Sequence, residues 1–181
     1  MNPFKQFRDA GVGWFALIAR QPGWRERFVL TREGLFAALG GYFAIVVVAI
    51  LVQGIFAGVP SIVDLAVGIA VNGLPLVGTT VALWVTILTL RLKTPIIEML
   101  VPVVHALTFV LIAGVILAFT GGPLATALLG MLGYMLYRAG REILGLNIAL
   151  AIAYAALSIV MLVALPMSLY MLMAPGQGGP I

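Results

Sequence analysis

Lys and Arg fall only in alternate gaps between five long apolar runs, and that spacing constrains the fold more than any other feature of the chain. Lys5, Arg8, Arg20, Arg25, Arg27 and Arg32 precede the first run, Arg91 and Lys93 separate the second from the third, and Arg138 and Arg141 separate the fourth from the fifth. Carrying a cation across a bilayer is unfavourable, so loops rich in Lys and Arg stay cytoplasmic. The pattern predicts an all-α integral membrane protein with five transmembrane helices, its amino terminus cytoplasmic and its carboxyl terminus on the opposite side.

Composition narrows the chemistry. Hydrophobic residues make up 63% and charged residues 9%, with a mean hydropathy of +1.19, which calls for lipid as solvent. The net charge of +4 sits beside apolar spans and forms no stripe with interleaved aromatics, which excludes nucleic acid as a partner. It favours anionic lipid head groups instead. The absence of cysteine excludes disulfides, thiolate catalysis and Cys-ligated metals, and His105 alone makes no metal site, so no cofactor is expected. The first apolar run begins near Gly34, behind six basic residues, so it is expected to remain as an anchor rather than be removed as a signal peptide. The preference for Arg over Lys, with abundant Ala, Gly, Val and Leu, fits a bacterial inner membrane.

Residues 1–33 form a basic amphipathic segment carrying Phe7, Trp14, Phe15, Leu17, Trp24 and Phe28, with a break at Gln21-Pro22-Gly23. Such a segment lies in the membrane interface or serves as a partner-binding arm. The transmembrane domain covers 34–173, with spans at 34–58, 62–90, 96–119, 124–138 and 147–173. Thr31 is the predicted N-cap of the first span, and Ser61-x-x-Asp64 reads as a capping box opening the second. The second span, at 29 residues, is about 43 Å long as a straight helix against a hydrocarbon core of about 30 Å. It must tilt or break, and Asn72-Gly73-Leu74-Pro75 is the expected break. Pro102 is expected to kink the third span. Ala149, Ala153, Ala156 and Ala164 give the fifth a small-residue side suited to packing inside the bundle. Residues 174–181 read as a disordered non-cytoplasmic tail.

Ionisable and polar groups at membrane depth are the candidate site residues. His105 and Asn72 are predicted at similar depth in adjacent antiparallel spans, with Pro75 and Thr79 nearby and Glu98 two turns before His105. One reading makes His105 a neutral core imidazole joining helices; the other gives it a ligand or substrate role. Arg25, Arg27, Arg91, Lys93, Arg138 and Arg141 are expected to meet lipid head groups or a partner. No catalytic spacing such as G-x-S-x-G or H-E-x-x-H occurs. The expected function is therefore non-enzymatic: a scaffold, membrane-organising protein or accessory subunit engaging other integral membrane proteins, itself or lipids. The alternative is a small transporter or channel component with a polar site between the second and third spans.

Gly133-Tyr134 and the segment Tyr137-Arg-Ala-Gly-Arg-Glu-Ile-Leu-Gly-Leu-Asn147 resemble bacterial members of the Ypt-interacting-protein (Yip-domain) family, as does the five-span layout across residues 24–173. The resemblance implies a cytoplasmic amphipathic arm, minimal loops and a short non-cytoplasmic tail. The Asp-Leu-Tyr-Gly-Pro motif of eukaryotic members is missing, so small-GTPase binding is not carried over.

Overall fold

The computed structural model describes residues 3–118 and 124–173. The predicted turn at Gly121-Gly122-Pro123 and the tail at 174–181 lie outside the described residues. Six α-helices carry the chain: α1 (Pro3–Ile18), α2 (Arg32–Ala57), α3 (Ile62–Leu90), α4 (Ile96–Ala118), α5 (Leu124–Glu142) and α6 (Ile148–Met173), with a short 3-10 helix at Trp24–Arg27. No strand occurs among the described residues.

Local chemistry sets the helix ends. The Thr31 hydroxyl accepts the Gly34 amide at 3.2 Å and opens α2. At α3, the Ser61 hydroxyl accepts the Asp64 amide at 3.1 Å while the Asp64 carboxylate accepts the Ser61 amide at 2.9 Å, the reciprocal box that satisfies two otherwise orphaned donors. Asn147 caps α6 by accepting the Leu150 amide at 2.9 Å. Gly58, at φ 99°, ends α2 in a conformation that a side chain would disfavour.

Among the described residues four helices are long and apolar enough to cross a membrane, over Arg32–Ile55, Ile62–Leu90, Ile96–Leu117 and Ile148–Met171, the architecture of a helical membrane protein. The predicted fourth span is not among them. Its helix, α5, forms and continues past Tyr137 to Glu142, but Arg138, Arg141 and Glu142 in its last turns lower its hydropathy.

The helices close into a ring in the order α2, α4, α5, α6 and α3, with α3 returning to α2 and also touching α4. α4 is the centre of the packing: every residue from Val101 to Thr108 is buried, as expected of a helix apolar all round. Gly78 lets α3 meet α6 closely, since a Cβ there would stand 3.0 Å from the Met161 backbone.

One expectation about α3 is corrected: the break at Asn72-Gly73-Leu74-Pro75 does not form. α3 runs unbroken through Pro75 for 29 residues, and α4 runs unbroken through Pro102. Side chains from other helices serve carbonyls near the prolines. The Tyr42 hydroxyl donates to the Asn72 carbonyl at 2.6 Å, in the turn that Pro75 deprives of a donor. The Trp14 indole donates to the Pro102 carbonyl at 3.0 Å. A second expectation also changes: Ala149, Ala153, Ala156 and Ala164 are exposed, and α6 turns Ala151, Tyr154, Ala155 and Ser158 inward.

The amino-terminal segment is part of the bundle. Gln6, Ala10, Gly13, Trp14 and Leu17 make one buried stripe at helical spacing packed against α2, α4 and α5, while Phe7, Val12 and Phe15 stay exposed. Phe7 meets Phe109 in a tilted ring contact with centroids 4.9 Å apart, and Trp14 meets Pro102. Seven residues of α1 thus match seven of α4, with the two helices running in opposite directions.

Candidate functional site

The polar groups singled out from the sequence are separated by the packing order, because α4 lies mainly against α2 rather than α3. His105 lines a cavity of about 290 Å³ between α1, α2 and α4, together with Gln6, Phe7, Ala37, Gly41, Ala44 and Thr108. Asn72 lines a different cavity of about 470 Å³ at the α2–α3 hairpin, with Gln53, Asp64 and the loop residues Gly58 to Pro60. The predicted pairing of Asn72 with His105 is not formed. The Asn72 amide instead donates to the Gly68 carbonyl at 2.8 Å.

Thr79, buried on α3, donates to the Pro75 carbonyl at 2.8 Å, so Pro75 and Thr79 belong together as an internal helix contact. Glu98 is engaged at the basic end of the bundle by Arg25 at 3.1 Å, and the Arg25 guanidinium lies 5.3 Å from the Trp24 ring centroid. Both partners of this pair are more than a quarter exposed, so it contributes well under about 1 kcal/mol.

His105 is held firmly. Only 4% of it is exposed, Nδ1 is 2.8 Å from the Val101 carbonyl one turn back, and Phe28 meets the ring edge-on at a centroid distance of 6.1 Å. Thr108, on the same face of α4, donates to the Val104 carbonyl at 2.8 Å. Gln6 reaches across from α1 and donates its amide to the Gly34 carbonyl at 3.2 Å.

The basic residues divide into two groups. Arg27, Arg91 and Lys93 are exposed, as is Arg25 beside Glu98. Arg20 and Arg25 also line a polar recess of about 420 Å³ with Trp24, Glu26 and Glu142. Arg138 departs from expectation: it is 1% exposed and is the largest fully buried side chain among the described residues. It donates to the Leu17 carbonyl at 2.9 Å and meets Glu142 at 3.2 Å. Leu17 lies in the last turn of α1, where carbonyls lack helical donors and a cation is favoured by the helix dipole. Arg138 is therefore a clasp for α1 and is removed from the lipid surface. Arg141 donates to the Leu146 carbonyl at 2.9 Å and steadies the turn into α6.

Gln6, Tyr42 and the structural roles of Trp14 and Arg138 are not marked in the sequence. The stripe Gln6, Ala10, Trp14 and Leu17 was the available signal that α1 has a packed face; nothing in it says which surface it packs on. No group of three or more His, Asp or Glu side chains able to hold a metal occurs among the described residues. Comparison with protein-family models, with curated proteins and with solved structures finds no match to the chain.

Proposed function

We propose that the protein is a non-enzymatic membrane scaffold or accessory subunit that associates with other membrane proteins through the outer faces of α2 and α6. The observation that carries this reading is a pair of outward small-residue stripes on helices that do not touch each other. On α2, Gly40 and Ala44 are exposed one turn apart, and a Cβ at Gly40 or Gly41 would meet nothing within 4 Å. On α6, Ala149, Ala153 and Ala156 are exposed. α2 and α6 make no contact among the described residues.

Small residues let helix backbones approach closely in lipid. Within this chain Gly78 is used in that way, whereas Gly40 and Gly41 lower helix propensity by about 1 kcal/mol each relative to alanine with no contact in the chain to offset it. Two such faces on separate helices suit a protein that bridges neighbours. In this reading α5 completes five spans: at 19 residues it is about 28 Å long and is packed between two membrane helices. The amino terminus then lies in the cytoplasm, the carboxyl terminus outside, and the membrane is a bacterial inner membrane. The Yip-domain resemblance agrees with this layout. The transporter alternative needs Asn72 and His105 in one site, and separate cavities leave it without that support.

The cysteine-free sequence makes the test direct. Single cysteines introduced at Ala44 and Ala153 are treated with a thiol-reactive crosslinker in native membranes. Stoichiometric adducts to a second membrane protein or a second copy are expected at both positions. Uncrosslinked monomer at both would refute the scaffold reading.

A further inference from the structure

The cavity beside His105 has a chemical polarity that its apolar walls conceal. Each polar side chain lining it has committed a proton to a backbone carbonyl. Nδ1 of His105 must carry hydrogen to bond the Val101 carbonyl, which leaves Nε2 of the neutral ring as an acceptor. The Thr108 hydroxyl gives its proton to Val104 and keeps its lone pairs. The Gln6 amide nitrogen gives one of its two hydrogens to Gly34, leaving one N–H and the amide oxygen. Nε2 of His105 bonds no described residue.

Nε2 of His105 and the Thr108 oxygen together favour a ligand that donates a hydrogen bond, and the remaining Gln6 N–H suits one that also accepts, as a hydroxyl does. The walls select further. No charged side chain lines the cavity among the described residues, so an ammonium or carboxylate would enter without a counter-ion, at high desolvation cost. Gly41 and Ala44 line the cavity and are exposed, so it opens sideways between α2 and α4, on a face that meets hydrocarbon in a bilayer. The ligand therefore arrives from the lipid and carries an apolar chain.

We infer that this cavity binds the hydroxyl group of an uncharged lipid alcohol, which donates to Nε2 of His105 while the hydrocarbon lies over Ala37, Gly41 and Ala44. The hydroxyl belongs either to a free long-chain alcohol or to a neutral glycerolipid. His105 is then a binding residue, poised by its bond to Val101. The cavity mouth shares Gly41 and Ala44 with the α2 face given an assembly role above, so the test is made on the isolated chain, where no partner covers it.

The test uses the full-length chain in phosphatidylcholine vesicles with four photoreactive diazirine probes: hexadecanol, its methyl ether, a diacylglycerol, and palmitate at a pH where it is ionised. Mass spectrometry of the crosslinked peptides is expected to place hexadecanol on residues 37–45 and 105–112, with little labelling there by the ether or by palmitate. Labelling by the diacylglycerol as well assigns the hydroxyl to glycerolipids; labelling by hexadecanol alone assigns it to single-chain alcohols.

His105→Leu should reduce hexadecanol labelling about tenfold, the effect of one lost hydrogen bond. His105→Gln, which can present an amide oxygen, should retain part of it. Gly41→Leu should block labelling by filling the slot, and the open space above Gly41 leaves the fold undisturbed. Equal labelling by alcohol and ether overturns the inference, as does unchanged hexadecanol labelling in Gly41→Leu or in folded His105→Leu.

Discussion

Arg138→Met tests whether one buried guanidinium holds the amino-terminal helix in place. The substitution keeps most of the buried stem, and so most of the packing, while removing the donor to the Leu17 carbonyl and the partner of Glu142. Leu17 would be left with only the long 3.4 Å contact from the Arg20 amide. A hydrogen bond to a charged group contributes about 1.5–3 kcal/mol. The Glu142 pair adds no more than about 0.5 kcal/mol, because its carboxylate is 35% exposed. Against these stands the relief of burying a guanidinium whose Nε finds no acceptor. The net loss should be about 2 kcal/mol, and it should fall on the docking of α1 rather than on the whole bundle. Hydrogen exchange in detergent micelles reads this directly: amides of residues 10–18 should exchange about 30-fold faster, while those of residues 101–108 keep their protection. Arg141→Met, whose partner is Leu146, should leave α1 unaffected. Exchange in α1 within about threefold of the wild type would show that Arg138 is not its clasp.

Tyr42→Phe removes the hydroxyl that serves Asn72 and should lower the midpoint of thermal unfolding in detergent by about 2–4 °C, the effect of roughly 1 kcal/mol in a chain of this size. Gly78→Val places a branched side chain against the Met161 backbone and should destabilise by about 1–3 kcal/mol through overpacking, seen as a lower midpoint in the same scan. Gly40→Leu meets open space, so the scan should show no loss of stability, while crosslinking from Ala44→Cys in the same chain should fall sharply; undiminished crosslinking would remove Gly40 from the interface. Cysteines at Lys93 and Glu142 should react with a membrane-impermeant thiol reagent from one side and a cysteine at Ser61 from the other; reaction of the Glu142 position from the Ser61 side would overturn the five-span arrangement.

The helices and their caps were legible because they depend on neighbours in sequence. Ser61 and Asp64 are three residues apart, and their box forms as read. The facing of the helices was not legible, for a physical reason. In lipid a helix is apolar on its inner and outer sides alike, so Ala149, Ala153 and Ala156 could be recognised as small but not as outward. The same blindness placed His105 beside Asn72, when the ring order sets α4 mainly against α2. Arg138 misled differently. A cation at a helix end usually reports topology, and only the arrival of α1 turns it into a buried ligand for a carbonyl. α1 itself displayed a packed face but no address.

The bond between Arg138 and Leu17 joins residues 121 positions apart. During synthesis at about 5–20 residues per second, Leu17 would leave the ribosome some 6–24 s before its anchor exists. For that interval the greasy side of the nascent amino terminus needs a temporary host, and the lipid head-group layer is the nearest available. In the finished molecule that side of the segment is covered by α2, α4 and α5, and the opposite side, with Val12 and Phe15, stays open.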